Sequence, residues 1–206
     1  MTLENNNIIE RESQLTKSLY IVATPIGNLK DITLRALEVL KSVDAILCED
    51  TRTSAKLLDA YTINKPKISY HEHNESEMLK KIVRMIKDEG KKLALISDAG
   101  MPLISDPGFR LVKECYKEGI GVTCIPGASA TVTALALSAL PSDKFMFSGF
   151  LPNKSSARKK ALAEVKEIKA TIIFYETANR LQASLADILD ILGDRNISIA
   201  RELTKK

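Results

Sequence analysis

Residues 92–108 constrain this chain more than any other stretch. An apolar run, Lys92-Leu93-Ala94-Leu95-Ile96, empties into Ser97-Asp98-Ala99-Gly100-Met101-Pro102-Leu103-Ile104-Ser105-Asp106-Pro107-Gly108. A segment that places Phe109, Val112, Cys115 and Tyr116 on one helical face follows. The pattern predicts a buried strand, a binding loop and a helix, with Asp106 and Pro107 suited to the N-cap and first helical positions. That order is the ligand edge of a parallel α/β sheet, where strand carboxyl ends and helix N-termini converge. Ile125-Pro126-Gly127-Ala128-Ser129-Ala130 repeats it one unit later.

The surrounding signals alternate in the same sense. Strands are expected at residues 18–23, 44–48, 67–70, 93–96 and 122–125. Helices are expected over residues 31–42 and 52–60, over a stretch running to Asp88 that opens on an Asn74/Glu77 capping box, after Asp106, and from Ala128 to Leu140. This last helix carries almost no polar residue beyond Ser and Thr, so it calls for cover on both sides and favours an oligomer. The pattern breaks near residues 140–144. A second series follows, with strands at 145–148, 171–175 and 197–200 and helices at 155–168 and 179–192. The expected organisation is therefore an N-terminal α/β domain over 18–143 and a partial C-terminal α/β domain over 144–206. The second is small and open-edged, as if a C-terminal part were missing.

Composition narrows the field. With 206 residues, 45% hydrophobic and 27% charged, the chain has the balance of a soluble globular protein. It has no apolar stretch of the roughly 20 residues that spans a bilayer. Residues 1–17 are polar and contain Asn5-Asn6-Asn7, which reads as a disordered leader and leaves the cytoplasm as the default compartment. Cys48, Cys115 and Cys124 show no paired spacing and are expected as buried free thiols. The net charge of +4 permits an anionic partner without demanding one.

Several signatures are absent. There is no phosphate-loop motif, no dinucleotide fingerprint after a strand and no nucleophile elbow, and His71 and His73 lack an obvious third ligand, so no metal is called for. What remains is a set of loops at strand ends: residues 23–28, Glu49-Asp50-Thr51-Arg52, residues 97–108 and residues 126–130. In a parallel sheet these lie side by side and can line one crevice for a small polar ligand.

Six motifs in order resemble the ribosomal RNA small subunit methyltransferase I branch of the tetrapyrrole methylase superfamily. They are Ala23-Thr24-Pro25-Ile26-Gly27-Asn28-Leu29, Glu49-Asp50-Thr51-Arg52, Ser97-Asp98-Ala99-Gly100-Met101-Pro102 with Ser105-Asp106-Pro107-Gly108, Pro126-Gly127-Ala128-Ser129-Ala130, Ser148-Gly149-Phe150-Leu151-Pro152, and Ala200-Arg201-Glu202-Leu203-Thr204-Lys205. The resemblance runs from Ser18 to the last residue. It implies a two-domain tetrapyrrole-methylase-like α/β fold with a parallel-rich first sheet and a homodimeric, S-adenosylmethionine-dependent enzyme. The implied reaction methylates the ribose 2′-oxygen of a cytidine in small-subunit ribosomal RNA, free or within the small subunit. Carried over by motif, Pro25, Gly100, Ile104, Ser129 and Ala130 are the cofactor contacts, largely through backbone atoms, with Tyr175 a further candidate. The chain departs from the branch at Asn179, where His is common, and in lacking the C-terminal continuation.

Methyl transfer to a ribose hydroxyl calls for a proton acceptor or for a cation opposing the developing charge. Asp50 and Arg52 are candidates for these roles, and equally for a helix cap and a structural ion pair. Lys154, Arg158, Lys159 and Lys160 form a basic run that either holds RNA phosphates or is a solvated helix face. Two rival readings stand beside the first: a tetrapyrrole or precorrin methyltransferase on the same scaffold, and a non-catalytic RNA-binding module. Against the tetrapyrrole rival, Gly100-Met101-Pro102 lacks the acidic residue of the Gly-Asp-Pro motif of those enzymes.

Overall fold

A computed structural model describes residues 18–205, so the leader expected over residues 1–17 lies outside the described residues. The chain divides into two compact units between Ala128 and Ser129.

The first unit holds five parallel strands, β1 (Leu19–Val22), β2 (Ala45–Cys48), β3 (Lys67–Ser69), β4 (Leu93–Ile96) and β5 (Val122–Ile125), in the order β3-β2-β4-β1-β5. Four helices alternate with them: α1 (Leu34–Ser42), α2 (Thr51–Ala60), α3 (Glu75–Lys87) and α4 (Phe109–Lys117). Side chains along a strand point to opposite faces in turn, and both faces are filled. Leu19, Ile21, Leu47, Leu93 and Leu95 pack with Ile82 and Ile86 of α3 and Leu111 and Cys115 of α4. Tyr20, Val22, Ile46, Cys48 and Ile96 pack with Val39 and Leu40 of α1 and Leu58 of α2. Burial on both faces is why β1, β2 and β4 read as unbroken apolar runs.

The placement of these helices locates a crevice. α1 and α2 lie on one face of the sheet, where they carry the chain from β1 outward to β2 and β3. α3 and α4 lie on the other face and carry it back through β4 to β5. The direction reverses between the neighbours β1 and β4, whose following loops depart to opposite faces. Ligands of open α/β sheets bind outside the carboxyl ends of the strands at such a reversal.

Local details differ from the sequence reading. α4 starts at Phe109 with Gly108 in the cap position and no side-chain cap bond. Asp106 instead shares a hydrogen bond with Ser97 and feels the charge of Glu49. The Asn74/Glu77 capping box does not form, because Asn74 accepts from the His71 amide at 2.9 Å and donates to the Ser69 carbonyl at 3.0 Å. Cys48 and Cys115 are buried free thiols, whereas Cys124 is exposed on the edge strand β5.

The second unit contains α5 (Ala130–Leu137), β6 (Phe145–Phe150), α6 (Ser155–Val165), β7 (Thr171–Tyr175) and α7 (Leu181–Leu192). β6 and β7 pair in parallel, and Leu151, Leu162 and Leu192 form a small core with Phe174, Ile188 and Ile191. α5 joins this unit because Thr131 Oγ1 and the Tyr175 hydroxyl, 2.9 Å apart, tie it to β7, so the division falls ahead of the break read at residues 140–144. Of α5 only Thr131 and Leu135 are buried, and Val132 and Leu137 are exposed. The strand expected at residues 197–200 does not form, since that segment pairs with no other strand among the described residues.

Candidate functional site

The crevice of the first unit is built from the loops after β1 and β4. Thr24 and Gly100 form an isolated antiparallel bridge: the Thr24 amide donates to the Gly100 carbonyl at 2.8 Å, and the Gly100 amide to the Thr24 carbonyl at 3.0 Å. Thr24 Oγ1 also donates to the Ser97 carbonyl at 3.2 Å. Gly100 sits at φ 82°, and a Cβ there would lie 3.3 Å from Ile26 Cγ2. Both backbone groups of Gly100 are thus engaged in fixing the loop, and the space beside its bare Cα is bounded by Ile26 and the Ala128 carbonyl. Pro25, next to Thr24 in the chain, is buried, while Ile104 is exposed.

Leu103 at φ 72° and Ser105 at φ 64° are non-glycine residues in left-handed conformations, bracketed by Gly100 and by Gly108 at φ 131°. Such strain persists only where the surroundings enforce it, and it concentrates at ligand clamps. The far end of the loop has its own anchor. The Gly108 amide donates to Glu75 Oε1 at 3.3 Å, the same atom that accepts the buried Tyr70 hydroxyl at 2.7 Å. Burial and the adjacent Glu75 carboxylate push the Tyr70 phenol well above its ordinary range, so it stays a proton donor. Glu75 is itself buried, with Arg110 Nε 3.7 Å from its second oxygen.

Carboxylates gather at the ends of β2 and β4. The Asp50 amide donates to Asp98 Oδ1 at 3.1 Å, and the Asp98 amide to Glu49 Oε2 at 3.4 Å. Burial, with neighbouring negative charge, raises the pKa of Glu49 and Asp98. Asp106 is pushed up to about 6 by burial and by Glu49 and Asp98, against a hydrogen bond from Ser97. Asp50 goes the other way. Its carboxylate caps α2 by accepting from the Arg52 amide at 2.7 Å, and the Arg52 guanidinium, 3.2 Å away, holds it below the usual carboxylate range. The cap and the ion pair are therefore formed. A carboxylate so held is a weakened proton acceptor.

In the second unit, Ser129 is the N-cap residue of α5 without a side-chain cap bond, and Ala130 opens the helix. Ala130 and Tyr175 both line a cleft of about 1090 Å³ whose walls include Thr131, Leu135, Leu185 and Ile188. The Tyr175 ring is packed edge-on against Phe147 and Phe150, with centroids 4.7 and 5.4 Å away, which fixes its hydroxyl beside Thr131.

The basic run does not stay together. Arg158 is 4% exposed, with its Nε 2.7 Å from Asp187 Oδ2 and its Nη1 bonded to the Pro152 and Asn153 carbonyls. Lys159 pairs with Asp190 at 2.7 Å. These two residues clamp α6 to α7, so the buried Arg158 is committed to Asp187 and two carbonyls, and the exposed cations of the run are Lys154 and Lys160. Helical periodicity shows that Arg158 shares a face with the core residues Leu162 and Val165, which is the signal that separates it from its neighbours. Glu75, Thr24, Asp98 and Asp106 were missed as site residues because each reads in sequence as ordinary turn or cap chemistry.

The family model for tetrapyrrole (corrin/porphyrin) methylases matches residues 18–206. The chain belongs to this family. It is 55% identical over 190 residues to the ribosomal RNA small subunit methyltransferase I of Halalkalibacterium halodurans, covering 91% of this chain and 65% of that protein. The protein of the same name from Thermotoga maritima is 52% identical over 187 residues, covering 91% of this chain and 83% of its own length. The chain thus spans about two thirds of the first relative. Among solved structures, diphthine synthase superposes with a TM-score of 0.64 at 14% identity, covering 84% of this chain and 70% of its own. Cobalt precorrin-4 methyltransferase superposes with a TM-score of 0.61 at 16% identity, covering 84% and 74%. These two share the fold expected from the sequence.

Proposed function

We propose that the chain carries the cofactor-binding framework of an S-adenosylmethionine-dependent methyltransferase that modifies the ribose 2′-oxygen of a cytidine in small-subunit ribosomal RNA. The observation that carries this reading is the strained 97–108 loop, pinned by Thr24 at one end and Glu75 at the other, at the reversal point of the sheet. The names of relatives more than half identical to the chain supply the substrate class. The bare Cα of Gly100 and the exposed Ile104 fit the approach of a nucleoside-sized ligand. The buried Pro25 stiffens the loop after β1, and Ser129, Ala130 and Tyr175 are the contacts proposed from the second unit.

S-adenosylmethionine, when bound, supplies a methyl carbon made electrophilic by its sulfonium. For a ribose hydroxyl to accept that group, the protein would have to hold the hydroxyl in line and let its proton leave to an acceptor. With Asp50 engaged by Arg52, the protein's main contribution is to position the two reactants and exclude water. Arg52, 91% exposed, is proposed to face the anionic substrate. Action in the cytoplasm on free ribosomal RNA or the small subunit, as a homodimer, belongs to the same reading. Transfer of a labelled methyl group to small-subunit ribosomal RNA tests it, with a precorrin offered in parallel. Label in the RNA alone supports the reading, and label in the macrocycle alone supports the rival.

A further inference from the structure

α4 presents a face that the crevice does not use. Phe109 and Tyr116 are 69% and 70% exposed. They stand two turns apart, about 10 Å along the helix. At 100° per residue they share a sector of about 120° with Arg110, Lys113 and Lys117, while Leu111 and Cys115 point the opposite way into the core, so the single face expected for Phe109, Cys115 and Tyr116 is divided. Lys113 makes no ion pair among the described residues, and Lys117 stays 70% exposed beside Glu114. α3 runs alongside, joined by Arg110 to Ser76 at 2.9 Å and by Lys87 to Glu118 at 2.7 Å. Lys80 falls on the same stripe of α3 as Ser76 and Lys87, is exposed and carries no ion pair among the described residues.

We propose that this face of α4, with Lys80 beside it, is a docking surface for single-stranded RNA, a proposal that rests on the methyltransferase reading above for its substrate. Two exposed rings interleaved with cations match what a single strand offers, because bases stack on aromatic faces while lysines and arginines track the phosphates. Phe109 directly follows Gly108, so the surface begins where the strained loop ends. Charge complementarity favours RNA over a second copy of the chain: face-to-face self-association would set Lys113 and Lys117 against like charge, and lysine is depleted from the cores of protein interfaces. The basic run of α6 offers no comparable arrangement, since α6 carries no aromatic ring and its Arg158 is buried.

The test uses the whole chain, small-subunit ribosomal RNA transcribed in vitro, and a series of salt concentrations. Phe109→Ala and Tyr116→Ala should each weaken RNA binding by about fivefold or more, the loss of one stacked base. Tyr116→Phe should restore affinity. Lys113→Ala should reduce the slope of log affinity against log salt by about one unit. Calorimetric affinity for S-adenosylmethionine should be unchanged in all four variants. If the wild type binds RNA and every variant matches it in affinity and salt slope, the surface is wrong while the methyltransferase reading stands. If Phe109→Ala or Tyr116→Ala instead dissociates a dimer in sedimentation, the face is a self-contact and the proposal fails. A wild type that binds S-adenosylmethionine and no RNA overturns both the surface and the RNA substrate.

Discussion

Thr24 and Gly100, 76 residues apart in sequence, exchange two backbone hydrogen bonds of 2.8 and 3.0 Å across the carboxyl ends of β1 and β4. This pairing sets the crevice. It holds Gly100 at positive φ directly over Ile26 and leaves the loop beyond it to turn through Leu103 and Ser105.

Gly100→Val should therefore strain the loop and press on Ile26 and the Ala128 carbonyl at once, since a β-branched residue tolerates φ 82° poorly. The affinity for S-adenosylmethionine should fall at least about tenfold. Calorimetry, with circular dichroism to verify the retained fold, measures it. Unchanged affinity removes Gly100 from the site.

Arg158→Met should lower the melting temperature by roughly 5 °C or more, because it leaves the buried Asp187 carboxylate without its main partner. The salt dependence of RNA binding should stay as in the wild type. A changed salt slope with an unaltered melting temperature would return Arg158 to the phosphate-binding role first read from sequence.

Much of the architecture was legible because its signals are local and periodic. The apolar runs of β1, β2 and β4, the glycine and proline at loop turns, and the Asp50 cap of α2 each follow from a few neighbouring residues. The loops at the strand ends were legible one by one. What holds the loops was not, because the Thr24–Gly100 bridge and the Glu75–Gly108 bond join residues distant in sequence. The basic run misled for the same reason: four cations in seven residues look alike until Asp187, 29 residues away, claims one of them.

Asp106 makes the first unit sensitive to pH. Its folded-state pKa is raised from 3.8 to about 6, so the native state holds the proton more tightly than the unfolded chain does. The stability that this gives is fully present below about pH 4 and is lost as pH rises through about 6. Asp106→Asn should remove that dependence and raise stability at pH 8 relative to the wild type. Denaturant melts at pH 5 and pH 8 check it, and equal pH dependence in both proteins would show that Asp106 titrates normally.

Asp50→Asn separates a cap from a proton acceptor. The engaged geometry of Asp50 predicts a lowered melting temperature with methyl transfer in a single turnover reduced less than tenfold, well short of the roughly 10²-fold or greater loss expected of a general base. A loss of that larger size with cofactor affinity intact would make Asp50 the acceptor after all.

Mapping ribose methylation across small-subunit ribosomal RNA from cells with and without the gene tests the central claim most directly. The expected result is one cytidine 2′-O-methyl group that disappears with the gene and returns when the wild-type gene is restored, but not when the Gly100→Val gene is. An identical methylation map in both strains would contradict the assignment.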